Sequence, residues 1–189
     1  MESNSEPRIK GISFIHFGEY LREKHGQQGL DRVLGAVAPS FRDLPIKAYG
    51  HEWYPLRALV ECERKYVELF HGGDPRQTAA FGKYDAARQV GAIYRVILRH
   101  LSTAFLLKRG PLIWKSYMDR GVCAPRETGP NRVEIDLGGY DPIDQVHCHE
   151  NVGSFESALE VCGASDARVE HVACRLDGAP ACHYVATWR

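Results

Sequence analysis

The sequence lacks an excess of charge of either sign, a long apolar run and an apolar leader. In its 189 residues, 24 Lys and Arg balance 24 Asp and Glu. Zero net charge argues against nucleic acid or an anionic membrane as partner, because both attract clustered positive charge. No apolar run approaches the roughly 20 residues of a membrane span, and residues 1–10 contain no signal-peptide core. We therefore expect a cytoplasmic protein with no membrane span and no nucleic-acid partner.

The common catalytic motifs are also missing. The chain has no Gly-x-Gly-x-x-Gly, Walker loop, His-Glu-x-x-His or Gly-x-Ser-x-Gly sequence, which are the patterns of nucleotide binding, zinc proteolysis and serine hydrolysis. The sequence therefore predicts a protein that is not an enzyme. With 44% hydrophobic residues, the chain can nevertheless bury a substantial core.

Helical periodicity dominates the N-terminal half. Residues 1–10 are polar and without a period, so they predict a flexible tail, and 11–189 are expected to form a single domain. Apolar residues then repeat at helical spacing, with an interruption at Gly26 and a further helix opened by the segment Trp53-Tyr54-Pro55. A long helical stretch covers about 77–108 and is followed by a break at Gly110-Pro111.

The C-terminal third changes to a strand period. Residues 132–137 alternate strictly between polar and apolar, as a half-buried strand does. A helix is predicted at 152–162, and two further strands at about 168–176 and 181–188 form a hairpin around Gly178. Helices followed by a small antiparallel sheet with a C-terminal β-hairpin indicate an α+β fold.

Three cysteines are candidates for a metal site. Cys174 and Cys182 are each four residues from Gly178, so the predicted hairpin places them on neighbouring strands, nearly opposite one another. Cys148 is expected just before the 152–162 helix, from where it can join them. Three thiolates and one further ligand make a tetrahedral structural zinc site. Buried core thiols and a disulfide are the alternatives.

The fourth ligand depends on the regularity of one strand. In a regular strand Glu170 shares a face with Cys174, whereas His171 points to the other face. A β-bulge would bring His171 to the same face instead. The nearby His147, His149 and His183 widen the choice.

The segment from Cys148 to Trp188 resembles the end of the 4-vinyl reductase domain, a ligand-sensing module of the haem-NO-binding and TRAPP-like superfamily. The family pattern is a cysteine, a glycine and a helix, an acidic residue, and then Cys-x-x-x-Gly-x-x-x-Cys, which here is Cys174 to Cys182. The resemblance implies zinc bound by Cys148, Cys174, Cys182 and the acidic position. That position aligns with His171, and Glu170 lies one place earlier.

The N-terminal half is similar to an uncharacterised family expanded in myxobacteria. The residues that carry this likeness are Lys10-Gly11, the stretch 20–26 and Trp53-Tyr54-Pro55. The two resemblances imply a stand-alone sensing or protein-interaction module, a homodimer, a small apolar or aromatic ligand, and a separate signalling partner protein. A mostly apolar pocket is expected between helices and sheet, with four candidate lining residues: Tyr94, His100, Trp114 and Tyr117.

Haem is the alternative occupant that this superfamily raises. His100, three residues after Ile97 in an apolar helical stretch, is a candidate axial ligand. The haem-NO sensors hold the propionates with Tyr-x-Ser-x-Arg, and this motif is absent from the chain. The sequence therefore argues against haem, and the structural zinc of the cysteine cluster is the cofactor that we expect. A haem-binding gas sensor and a small enzyme of tetrapyrrole or aromatic metabolism stay as alternative functions.

Overall fold

The computed structural model of the chain describes residues 6–89, 103–141 and 143–189, with the backbone alone for 103–106. The predicted α+β class is confirmed: a helical N-terminal half precedes a four-stranded antiparallel sheet. Within the described ranges, no helix is both long and apolar enough to cross a bilayer. The elements are β1 Arg8–Lys10, α1 Gly11–Ala36, α2 Leu44–Lys47, β2 Trp53–Pro55, α3 Leu56–Phe70, α4 Thr78–Gln89, α5 Thr103–Tyr117, β3 Val122–Gly129, β4 Arg132–Gly138, α6 Gln145–Val161, β5 Arg168–Ala173 and β6 Cys182–Thr187.

A short two-stranded sheet joins the start of the chain to the helical layer. Strand β1 pairs antiparallel with β2, so that Ile9 lies opposite Tyr54, and Ile9 is only 4% exposed. The prediction of a flexible tail over residues 1–10 is therefore wrong for residues 8–10. Trp53-Tyr54-Pro55 is likewise a strand, and the helix begins one residue later, at Leu56. A single apolar residue in a polar stretch has no period, so the pattern gave no sign of this pairing.

Helix α1 contains the break that the sequence predicts. Gly26 has φ 68° and ψ −179° inside the helix, a left-handed φ that glycine adopts without the steric cost of a Cβ. The segment before the kink buries an aromatic face, in which Phe17 meets Phe81 edge to face at 5.0 Å and Tyr20 meets Tyr66 at 5.7 Å. These rings form the core between α1, α3 and α4.

Helices α4 and α6 touch backbone to backbone through two glycines. A Cβ on Gly82 would lie 1.9 Å from the carbonyl oxygen of Glu150, and a Cβ on Gly153 would lie 1.8 Å from that of Ala79. The absence of a side chain at Gly82 and Gly153 therefore permits the close approach of the two helices. This contact fixes the position of α6, which carries Cys148, relative to the helical layer.

Helix α5 continues through Gly110-Pro111, where the sequence predicts a break. Pro111 lies inside the helix, and tertiary contacts outweigh the hydrogen bond it removes. Trp114, one turn later, is 8% exposed and donates its indole N–H to the carbonyl of Arg120 at 2.9 Å. The burial of Trp114 thus stabilises the C-terminal end of the helix, despite the low helix propensity of Gly110-Pro111.

The larger sheet has the strand order β3-β4-β6-β5, with every pair antiparallel. Strand β4 confirms the predicted alternation, because Val133, Ile135 and Leu137 are buried. Strand β3 was not predicted. It contains Pro125, which is tolerated because β3 lies at an edge of the sheet.

Candidate functional site

Three structural elements bring the cysteines together. Cys148 lies in the first turn of α6, where the side chain of Asp144 caps the helix by accepting the Val146 N–H at 3.0 Å. Cys174 follows β5, and Cys182 is the first residue of β6. The helix begins at Gln145 and not at about 152 as predicted, so Cys148 is a helical residue held by the cap.

The three sulfurs form a nearly equilateral triangle. Cys148 Sγ is 4.0 Å from Cys174 Sγ and 3.8 Å from Cys182 Sγ, and the last two are 3.9 Å apart. Ligands ~2.3 Å from one tetrahedral zinc lie roughly 3.8 Å apart, so the triangle has the size that zinc requires. A disulfide would need sulfurs ~2.05 Å apart, and all six cysteines are free.

His171 completes the set because strand β5 is bulged. The pairing with β6 shifts between His171 and Ala173, which turns His171 to the side of Cys174 and leaves Glu170 exposed. One donor atom from each of His171 and the three cysteines lies within 4.8 Å of all the others. The ring of His171 stacks on Tyr184 at 4.6 Å, and its Nε2 is buried without a hydrogen-bond partner.

The cluster favours one thiolate in the absence of metal. A hydrogen bond from Cys148, with the imidazole of His171 nearby, lowers the pKa of Cys182 to about 4, although burial opposes this. The same contact with Cys182, together with burial, raises the pKa of Cys148. Burial raises the pKa of Cys174. A bound zinc would stabilise all three as thiolates.

The other cysteines and neighbouring histidines serve different roles. Burial raises the pKa of Cys62, Cys162 and Cys123, in the last case to about 12, so these are protonated core thiols. His183 is engaged by Asp136 at 2.6 Å. His149 only packs its ring edge on His171, at a centroid distance of 5.8 Å.

A cavity of about 350 Å³ lies between the helical layer and the sheet. Its walls come from β1, α1, α4, α5, β3, β4 and α6, and most of the lining side chains are apolar. Of the four predicted pocket residues, Trp114 and Tyr117 line this cavity, whereas Tyr94 and His100 lie outside the described residues. The lining role of the first two in ligand binding stays a prediction.

One end of the cavity is polar. Asp85, 4% exposed, accepts hydrogen bonds from Ser13 at 3.1 Å and Gln89 at 2.8 Å. His16 Nδ1 lies 2.6 Å from its other oxygen. These contacts satisfy the carboxylate of Asp85 on both sides.

A second buried polar group, which the sequence analysis missed, consists of Glu63, His147 and Glu150. His147 and Glu150 line the cavity, and His147 Nδ1 is 2.5 Å from Glu150 Oε2. Burial and the nearby charge of Glu150 hold the pKa of Glu63 well above its usual range. The available signal was the three-residue spacing of His147 and Glu150 on one helix face and a glutamate amid the apolar residues of α3.

No family model matches the chain, and no curated protein matches it in sequence. Solved structures of H-NOX proteins share its fold. A triple mutant of the H-NOX protein from S. oneidensis in the Fe(II) state superposes with a TM-score of 0.75 at 15% identity, over 96% of each chain. The unliganded Fe(II) H-NOX protein from K. algicida gives 0.71 at 10% identity, over 96% of this chain and 97% of that one.

A third neighbour is a structure described in terms of haem redox potential and protein-induced porphyrin distortion. It has a TM-score of 0.64 at 12% identity, over 95% of this chain and 99% of that one. The neighbours thus support the haem-NO-binding fold and do not distinguish a 4-vinyl reductase or TRAPP-like assignment within it. They overturn the sequence-based argument against haem, because the absence of Tyr-x-Ser-x-Arg carried that argument and the fold itself is one that holds haem in these neighbours.

The described walls of the cavity fit such a group. They supply a mostly apolar surface, with Trp114 among its side chains, and Arg109 is one of the lining residues. An apolar macrocycle with anionic propionates requires apolar walls and a cation near its edge. The predicted axial residue His100 lies outside the described residues.

Proposed function

We propose that this chain is a small-molecule sensing module of the haem-NO-binding fold. The observation that carries the proposal is the cavity between the helical layer and the sheet, lined by Trp114 and Tyr117. Its volume, about 350 Å³, falls within the range of small-ligand pockets. A ligand there contacts both halves of the molecule, so its binding can alter how α6 and the sheet sit against the helices.

The comparisons favour haem as the first occupant to test. When bound, haem supplies an iron that coordinates a diatomic gas. The residues of the chain would provide the apolar walls and, through Arg109, a positive charge for a propionate. Purified protein titrated with haem is expected to give a Soret band that saturates at one haem per chain and shifts under carbon monoxide.

A matched pair of variants makes the haem test specific to the cavity. Trp114→Ala removes part of the cavity wall and should lower the affinity for haem in the Soret titration. Trp53 lies in the small sheet, outside the cavity lining, so Trp53→Ala should leave the affinity unchanged. Absence of a saturating band, or equal titrations for both variants, would exclude haem from this cavity. An aromatic ligand, which the 4-vinyl reductase resemblance implies, would then be the occupant to screen, by quenching of Trp114 fluorescence.

We further propose that Cys148, Cys174, Cys182 and His171 bind a structural zinc. Three thiolates and an imidazole fill the four positions of a tetrahedral ion, which leaves none for catalysis. The ion would fasten the start of α6 to the β5–β6 hairpin and so hold the wall of the cavity that α6 forms. The unpartnered, buried Nε2 of His171 supports this ligand set.

Elemental analysis of the purified protein tests the zinc proposal. We expect one zinc per chain in the wild type and well below one in Cys182→Ser. Cys162→Ser is the matched control, since Cys162 is buried at the other end of α6 but lies outside the cluster. Equal zinc in the two variants, or none in the wild type, would show that the cluster consists of core thiols.

A homodimer is a separate proposal. Leu112 and Ile113 on α5 and Val122 on β3 are 58%, 42% and 59% exposed, and an apolar surface of this kind is typical of an interface between copies. Light scattering after gel filtration should give about twice the mass of one chain for the wild type and a smaller mass for Leu112→Glu. A single-chain mass for the wild type would contradict the dimer.

A further inference from the structure

Glu63, His147 and Glu150 form a buried cluster that is separate from the cysteine cluster. Their exposed fractions are 0%, 3% and 4%. Glu63 comes from α3, and the other two lie three residues apart on α6. One donor atom from each lies within 4.8 Å of the other two. Two carboxyl groups and an imidazole thus meet in the interior, where water does not screen them.

Several polar atoms of this cluster lack hydrogen-bond partners. Both carboxylate oxygens of Glu63 and Nε2 of His147 are buried without a hydrogen-bond partner, and within the described ranges Glu63 makes no ion pair. Buried polar atoms are normally paired, because each unpaired one costs on the order of 1–3 kcal/mol. Three such atoms at one point indicate a missing partner.

A proton shared between the two carboxyl groups would provide a partner for only one of these three atoms. A proton on Glu63 can be donated to Glu150, which satisfies one oxygen of Glu63. The second oxygen and Nε2 of His147 still lack partners. A divalent cation would neutralise both carboxylates and accept lone pairs from the carboxylates and the imidazole together.

We propose that Glu63, His147 and Glu150 bind a divalent cation of the Mn²⁺ or Fe²⁺ class. Oxygen and imidazole donors without a thiolate suit these ions, whereas soft thiolates select zinc. Because His147 and Glu150 line the cavity, the cavity provides the entry path. Three protein donors leave coordination positions open on that side for water or for an oxygen atom of a cavity ligand.

Mn²⁺ is the probe that separates this site from the cysteine cluster. The protein is stripped with EDTA and titrated with Mn²⁺, and the free ion is followed by electron paramagnetic resonance. We expect one bound Mn²⁺ per chain in the wild type and in Cys182→Ser. Glu63→Gln should bind at least about tenfold more weakly, the effect typical of losing a group that supports a metal site. Glu150→Gln should behave in the same way.

Glu68→Gln is the matched control, because Glu68 lies on the same helix but is exposed. It should bind Mn²⁺ like the wild type. Glu63→Gln is nearly isosteric and replaces a buried ionisable carboxyl group with a neutral amide, so its melting temperature without metal should equal or exceed that of the wild type. Added Mn²⁺ should raise the melting temperature of the wild type and not that of Glu63→Gln.

Absence of Mn²⁺ binding by the wild type, or equal binding by Glu63→Gln, would overturn the proposal in favour of a shared proton. Loss of binding in Cys182→Ser alone would assign the ion to the cysteine cluster and equally overturn it.

Discussion

Replacement of Gly153 by alanine tests the contact that positions α6. The added Cβ would lie 1.8 Å from the carbonyl oxygen of Ala79, 2.7 Å from its carbonyl carbon and 2.8 Å from the amide nitrogen of Lys83. Ordinary van der Waals contact begins at 3.4 Å, so α4 and α6 must move apart by more than an ångström. All three atoms belong to the backbone, and no change of rotamer relieves the clash.

Two opposing effects set the magnitude. Alanine stabilises a helix by about 1 kcal/mol relative to glycine. Overpacking costs about 1–3 kcal/mol where side chains can yield, and it costs more here because a helix must move. We expect a net loss of about 2 kcal/mol in the free energy of unfolding. For a chain of this length, that corresponds to a melting temperature lower by roughly 4–8 °C.

Thermal and urea denaturation measure the effect, with Gly35→Ala as the matched control. Gly35 also lies inside a helix, but a Cβ there meets no atom within 4 Å. Only the helix preference then acts, and the control should be more stable than the wild type by about 0.5–1 kcal/mol. If Gly153→Ala were as stable as Gly35→Ala, the close contact between α4 and α6 would be refuted.

Three further changes test other parts of the fold. His171→Ala should lower the zinc content of the purified protein, and Glu170→Gln should not, as measured by elemental analysis; the opposite result would mean that β5 is a regular strand. Ile9→Ala should reduce the free energy of unfolding in urea by about 2–4 kcal/mol, because it leaves a cavity at a buried site; a negligible change would mean that residues 8–10 form a flexible tail after all. Tyr184→Phe should cost about 1 kcal/mol, since the buried hydroxyl donates to the carbonyl of Cys148 at 3.1 Å; an unchanged urea midpoint would contradict that bond.

The spacing of apolar residues along the sequence predicts the helices and strands that bury several residues on one face. The alternation of β4 and the left-handed break at Gly26 are local signals, and the structure confirms both. The spacing of Cys174 and Cys182 about Gly178 likewise depends only on the turn between two strands. Their sulfurs lie 3.9 Å apart, although Cys174 lies just after the end of β5 and not, as the sequence predicts, within the strand.

The elements that were missed depend on distant partners. Strand β1 exists because residues 8–10 pair with a segment more than 40 residues away, and no local pattern encodes that contact. Helix α5 continues through Pro111 because Trp114 is buried against other elements. The group of Glu63, His147 and Glu150 joins two helices that are far apart in sequence, so only the packing of α3 on α6 brings its members together.

The sequence does not decide whether Glu170 or His171 lies beside the cysteines, because the face on which a strand residue lies depends on whether the strand contains a bulge. A bulge shows only in the pairing of two strands. The structure supplies that pairing, and it places the histidine beside the sulfurs and leaves the glutamate in solvent.

The bulge in β5 also determines how this part of the chain tolerates insertions and deletions. Val172 is the extra residue, 51% exposed, and it makes the spacing of three between His171 and Cys174 equivalent to a spacing of two in a plain strand. Deleting Val172 would therefore keep histidine on the side of the sulfurs. Suppressing the bulge at the present length would exchange histidine for Glu170 beside the sulfurs, and so a nitrogen donor for an oxygen donor. At this position the length of the strand, more than the identity of any one residue, determines which donor atom faces the sulfurs.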